Sequence, residues 1–418
     1  MRLPAFTGLM VAMALLGGCH RDGDNGAIEA SVIAPAPTTG VKSPLATLLT
    51  DATSMGLVRL DRDGQVIAGA AARWAILDDG LDYIFRIDDG AGVPAREIAR
   101  RLRAAVRMRK DAPERALVDA IELIQAVTGT VVEIRLSVPQ PDLLMLLARP
   151  DYSVGAHGAM QAQPGPAGTI SLRPAPGIEP RPQTVLIHAE PAPGAVARFM
   201  KGQSDIVLGG TFDDLPVARA AEPKKRMLRF DPAAGLFGLV LRNSASAAAA
   251  PALRRALSLA LDRDRIVTAI GATGLAKATT LAGSQIEPAL VDRRTEAAKL
   301  VAGGHPALRI ALPAGPGADI LFRLIAEDWT SIGVVATRVA PDAPADLALV
   351  DAVTSPGTRH ALACALSAGC DPRDRLALID PPYIPIAAPV RWSLVARRLD
   401  RFVENDLAAH PLDRLLTR

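Results

Sequence analysis

Met55 to Ile98 reads MGLVRLDRDGQVIAGAAARWAILDDGLDYIFRIDDGAGVPAREI, and its short apolar runs broken by Asp-Gly turns decide the fold class. Leu57 to Leu60 has the composition of a strand. Asp61-Arg62-Asp63-Gly64 turns it, because glycine accepts positive φ and aspartate bonds to its own backbone, and Val66-Ile67 runs back. Arg73 to Leu77 leads into Asp78-Asp79-Gly80, and Tyr83 to Ile87 is the next strand before Asp89-Gly90. The three turns hold their carboxylates where turn chemistry alone requires them, so no cation site is read there. A meander of short strands is expected, then an amphipathic helix from Ala95 to Arg109 with Ile98, Leu102 and Val106 on its apolar face.

Upstream, Met1 to Gly18 combines Arg2 with an apolar run from Leu9 to Leu16, too short to span a bilayer, and reads as a signal peptide. Leu16-Gly17-Gly18-Cys19 has the pattern of a bacterial lipobox, which makes Cys19 the expected lipidation site and the membrane a partner through the lipid anchor. Residues 19–43 are expected to be a lipidated tether, with a reach of roughly 25–30 Å for a flexible chain. Asp22-Gly23-Asp24-Asn25-Gly26 mimics the start of a calcium loop, but Ile33 stands where the twelfth-position acid belongs, and no metal or cofactor is expected. Cys364 and Cys370 remain. They are either a local disulfide, which an oxidising compartment permits, or two buried thiols, since the intervening residues do not fix a Cα separation.

Downstream, Glu114 to Val127 reads as a second helix through Leu117, Ile121 and Ile124, Thr130 to Leu136 as a strand and Asp142 to Leu147 as a short helix. Gln161 to Gln183 is rich in Pro and Gly and reads as a linker or a binding loop. Thr184 to Ala189, Gly194 to Lys201 and Asp205 to Leu208 make a β-α-β run. A strand over Phe237 to Arg242 precedes two helices, the first opened by Pro251 and the second capped by Asp262 or Asp264. Leu308 to Leu312, the helix Asp319 to Ser331 and Val334 to Val339 repeat the β-α-β pattern.

Several of these stretches carry a shared likeness. GLVRLDRDGQVIAGAAARWAILDDGLDYIFRI followed by GVPAREIARRLRAAV, GQSDIVLGG, LRRALSLALDRDRIVTAI and DWTSIGVVATRV resemble, in order, signature blocks of the family 5 extracellular solute-binding proteins, the peptide- and nickel-binding components of ABC importers. The resemblance runs with gaps from about Ser43 to the end. It implies an α/β, two-lobed periplasmic-binding-protein-like fold (type II, cluster C), with mixed sheets flanked by helices and a ligand cleft between the lobes. The lobes are then 44–242, with an N-terminal β-meander subdomain, and 243–370, with 371–418 returning to complete lobe I. By position, the cleft walls it implies are Met55, Gly56, Thr211, Phe212, Arg242, Asn243, Thr354 and Ser355. Closure is expected about the crossover strands near Arg242-Asn243.

Composition supports the class. The 418 residues are enough for two cores of ordinary size, with 49% hydrophobic and 22% charged residues. A net charge of 47 − 44 = +3 points to no nucleic acid. The six histidines show no H-x-x-x-H spacing, and no G-x-S-x-G, P-loop or G-x-G-x-x-G occurs, so no catalysis is expected. The resulting expectation is a monomer on the periplasmic or extracytoplasmic face, lipid-anchored. It would take a peptide or other small-molecule solute and pass it to an ABC permease and ATPase complex. The alternative is a lipid-tethered scaffold or sensor that keeps the fold but has lost transport, favoured by a second lobe of only about 130 residues between Asn243 and Asp371.

Overall fold

The computed structural model describes residues 26–34, 44–108, 115–177, 183–301, 304–371, 376–399 and 401–415. Two large mixed sheets organise them. The first has seven strands in the order Met160–Pro164, Ile170–Pro174, Val185–Glu190, Ile28–Ile33, Ile206–Thr211, Arg391–Val395 and Leu228–Asp231. Its three central strands are parallel and its edges antiparallel. The second has five, in the order Val335–Val339, Ala307–Ala311, Leu347–Val353, Gly235–Leu241 and Tyr383–Ala387.

The meander folds as its turns dictate. Val58–Leu60 and Val66–Ala68 pair as a hairpin, and Ala71–Leu77, Asp82–Ile87, Val131–Leu136 and Ile121–Thr128 form a four-stranded antiparallel sheet. Asp61 Oδ1 accepts from the backbone N–H of Asp63 and Gln65, and Asp88 Oδ1 from that of Gly90, which is turn chemistry. The helix Ala95–Met108 lays Ile98, Ala99 and Leu102 onto this sheet, where they meet buried Phe85, Val132 and Ile134.

Four expectations need correction. The tether reading fails over Ile28–Ile33, which is the central strand of the first sheet; its backbone ladders to chain more than 150 residues away, and Ile28, Ala30 and Val32 are buried. The helix expected to Val127 stops at Asp119, and Ile121–Thr128 is a strand, because the turn at Gly129-Thr130 lets it pair with Val131–Leu136 and bury Ile124. Residues 161–174 are not a linker: Met160–Pro164 and Ile170–Pro174 form an edge hairpin whose turn is Gly165 to Thr169. Finally, the chain crosses between the two sheets at 232–234 and 388–390, not at Arg242-Asn243 or 371. Gly235–Leu241 and Tyr383–Ala387 both lie in the second sheet.

The two sheets are not separated by solvent throughout. One apolar cluster runs from Val196, Val207 and Leu215 beside the first sheet to Leu239, Leu257 and Trp329 in the second lobe. Phe212 and Phe237 meet across it edge to face, ring centroids 4.9 Å apart, a geometry favoured by the ring quadrupoles.

Candidate functional site

A cavity of about 430 Å³ lies where both crossovers pass between the sheets. Its walls are the crossovers themselves, 230–236 and 387–391, the segment 272–284 and the side chains of Arg359 and Tyr383. Local sequence explains the wall at 272–284. The helix Arg263–Ile270, capped by Asp262 Oδ1 on the N–H of Arg265, ends at Gly271 with φ +70°, a conformation glycine adopts without strain. Small residues then follow the edge of Tyr383–Ala387, where Lys277 forms a bridge to Ala387. Leu236, Leu275, Leu281 and Val390 give the cavity an apolar body.

Behind this wall sits Arg263, only 1% exposed. Its guanidinium donates to Pro385 O at 2.9 and 3.1 Å, to Ser258 O at 2.9 Å and to Ser258 Oγ at 2.7 Å, with Glu287 Oε1 at 3.3 Å as counter-charge. Burial draws its pKa down to about 10 despite Glu287. A charge so placed persists only because its donors are satisfied, and here they hold the strand that lines the cavity.

On the opposite rim the lobes touch through their own polar groups. Asp213, which follows Ile206–Thr211, accepts from Ala318 N at 2.8 Å through Oδ1 and from Gly317 N at 3.0 Å through its carbonyl, capping the second-lobe helix Pro316–Thr330. Ser355 Oγ donates to Asp142 Oδ2 at 2.9 Å. At the cavity itself, Arg391 Nη1 donates to Asp351 Oδ1 at 2.7 Å, joining the first sheet to the second. Burial pushes the Asp351 carboxyl up, and Arg391 counters it. Asp214 is pushed up to about 6, first by burial and then by the adjacent Asp213 charge.

None of the eight wall residues expected from sequence lines the 430 Å³ cavity. Met55 and Gly56 border a second, much smaller hole of about 10 Å³, and a Cβ on Gly56 would lie 2.7 Å from Leu147 O and Val58 O, a close backbone approach. Thr211 reaches the inter-lobe rim, its carbonyl accepting from Trp392 Nε1, while Phe212 is core. Arg242 and Asn243 sit at the far end of Gly235–Leu241, roughly 20 Å along the strand from the crossover, where Asn243 Oδ1 closes a local turn. Thr354 and Ser355 lie on the rim, Thr354 N donating to Ala234 O. Cys364 and Cys370 are joined as a disulfide, Cα atoms 5.2 Å apart, and Cys19 lies outside the described residues. Among the described residues no group of His, Cys, Asp and Glu is assembled to hold a metal ion, and no helix is long and apolar enough to cross a membrane.

A cleft between two mixed α/β sheets joined by paired crossovers defines the two-lobed periplasmic binding proteins, and solved structures agree. Haemophilus influenzae OppA in complex with RPPGFSPFR superposes with a TM-score of 0.75 at 14% identity, covering 93% of this chain and 98% of that one. The Escherichia coli murein tripeptide binding protein MppA gives 0.75 at 14%, covering 94% and 98%. Brucella suis NikA in complex with Fe(III)-EDTA gives 0.70 at 14%, covering 93% and 100%. No curated protein matches the sequence. Residues 177–304 match the model of the bacterial extracellular solute-binding proteins, family 5 Middle, the same family that the sequence blocks resemble, and the solved structures share its two-lobed fold.

Proposed function

We infer that the protein is the extracytoplasmic solute-binding component of an ABC importer, held to the membrane through a lipid on Cys19 and taking a peptide or peptide-like solute. The carrying observation is the 430 Å³ cavity at the crossovers, within the 300–1,000 Å³ usual for ligand sites and lined from both lobes. Solute in the cavity contacts both sheets, so it favours the closed arrangement over the open one by its differential contacts, and the closed surface is what a permease reads. The disulfide Cys364 to Cys370 and the signal-peptide pattern read in the sequence of Met1 to Gly18 fit an oxidising, extracytoplasmic location. Mass spectrometry should find Cys19 N-terminal and diacylglyceryl-modified; an unmodified thiol there contradicts the anchor.

One observation favours the scaffold or sensor reading. The inter-lobe contacts at Asp142, Asp213 and Asp351 are satisfied by the protein's own groups, so the lobes hold together without solute. A thermal-shift screen of di- to pentapeptides, nickel chelates, oligosaccharides and opines separates the two. A ligand that binds only the folded state stabilises it by about 2.7 kcal/mol at a hundredfold excess over Kd, whereas a scaffold shows no shift with any of them.

A further inference from the structure

The strand Ile28–Ile33 fixes where the chain that follows Cys19 enters the first lobe. Only the steps from 19 to 28 separate them, so a lipid on Cys19 holds the start of that strand within about 30 Å of the leaflet even on a fully extended chain. Val185–Glu190 and Ile206–Thr211 run parallel to it. All three central strands therefore begin at this end and finish at the other, where Asp213 meets the second lobe. The six residues of Ile28–Ile33 put roughly 20 Å between the two ends.

Exposed cations gather where the strands begin. Lys201 follows the helix Ala192–Met200, close to Ser204, whose Oγ donates to Glu29 O at 3.1 Å. Lys224, Lys225 and Arg226 make the turn before Leu228–Asp231, and Met227 O accepts from Val395 N, the neighbour of Ile206 across the ladder. Arg397 stands beside Arg398, whose Nη2 donates to Ala27 O at 3.2 Å. Arg173 follows Leu172, the register partner of Val185. Arg173, Lys201, Lys224, Lys225, Arg226 and Arg397 are all exposed, and none forms an ion pair with a described residue. The nearby acids Glu29 and Asp205 are engaged by His188 and Arg398, which leaves Glu222 exposed beside the cluster. A field of one sign repels itself and attracts an anionic surface. For basic groups next to anionic lipid, that attraction reaches about 10 Å at 0.1 M salt.

Resting on the lipid-anchor reading of Cys19, we propose that this end of the first sheet is a membrane-facing surface whose cations lie against anionic phospholipid headgroups. The short lead from Cys19 sets the distance, and the charges set which face turns to the lipid. The inter-lobe contacts and the cavity at the crossovers then point away from the leaflet. The second lobe, with Lys277 and Lys299, is the one left free to move in closure.

Amine footprinting by mass spectrometry tests this on the lipidated protein in bilayer discs of phosphatidylcholine, with and without phosphatidylglycerol. In the anionic discs at low salt, Lys201, Lys224 and Lys225 are expected to acetylate about threefold more slowly than in the neutral discs, or slower still. Lys277 and Lys299 should react alike in both, and salt near 1 M should abolish the protection. Lys224→Gln combined with Lys225→Gln, both exposed, should leave the melting temperature unchanged and weaken the protection of Lys201. Equal rates in the two kinds of disc, with the lipid on Cys19 confirmed by intact mass, overturn the membrane-facing surface and leave the anchor standing. Protection of Lys277 or Lys299 in place of Lys201 overturns it as well. A chain that carries no lipid on Cys19 and does not stay with the discs overturns both.

Discussion

The two ends of the inter-lobe interface are built on opposite principles. At the rim, carboxylates of the first lobe meet donors of the second: Asp213 on the helix start at Pro316–Thr330 and Asp142 on Ser355. At the crossovers the same interface opens into a cavity of about 430 Å³. On the proposed reading, the rim holds the lobes together and the crossover end is where a solute would change the energy of closure.

The largest expected effect breaks the wall of that cavity. Arg263→Ala removes the donors from Pro385 O and Ser258 and one of the two guanidinium groups beside Glu287, Arg293 remaining at 3.6 Å, so it should cost about 3–5 kcal/mol in urea unfolding, as for a buried charge network that loses a member. A loss below 1 kcal/mol would mean the wall does not depend on it. At the rim, a Cβ on Gly317 would stand 2.2 Å from Phe212 O and 2.6 Å from Asp213 Cα, both backbone atoms. Gly317→Ala should therefore force the lobes apart locally, at a cost of about 1–3 kcal/mol. Small-angle scattering should show a larger radius of gyration; an unchanged radius and melting temperature would show that the rim is not a tight contact.

The smallest effect is electrostatic and depends on pH. In the folded state Asp214 has its pKa raised to about 6 by burial and by Asp213, whereas in the unfolded chain it titrates at about 4. The unfolded state releases its proton first, so this group lowers stability progressively as pH rises from about 4 to 6, and the penalty stays constant above that. Asp214→Asn removes it. The variant should gain melting temperature over wild type at pH 7 and none at pH 4; a gain that is the same at both pH values would assign the effect to something other than ionisation.

Much of this frame was legible in the chain itself. Asp-Gly turns announced the meander, and Pro251 and Asp262 opened and capped their helices where their chemistry requires. LRRALSLALDRDRIVTAI lies inside the stretch that matches the family model, whereas the opening block at 55–98 lies outside it. Ile28–Ile33 was not legible, because its partners Val185–Glu190 and Ile206–Thr211 are remote in sequence and its six residues sit among Gly, Asp and Pro. Ile121 and Ile124 fit helical spacing as well as a strand, and only pairing with Val131–Leu136 decides between them.

The site was the least visible part. Its walls come from four separate stretches, most of them Ala, Gly, Pro and Thr, which carry no chemical signature. The one hint was the run Gly271 to Ser284, directly behind the most recognisable motif and too rich in small residues for core.

Ala276 lines the cavity, and a tryptophan there is expected to take up part of its volume. The most direct test of the account is a thermal-shift screen of di- to pentapeptides, nickel chelates, oligosaccharides and opines on wild type and on Ala276→Trp in parallel. The account predicts that at least one ligand raises the wild-type melting temperature and that Ala276→Trp, melting normally on its own, loses the shift. A wild-type shift that persists undiminished in Ala276→Trp, or no shift in either protein, would contradict it.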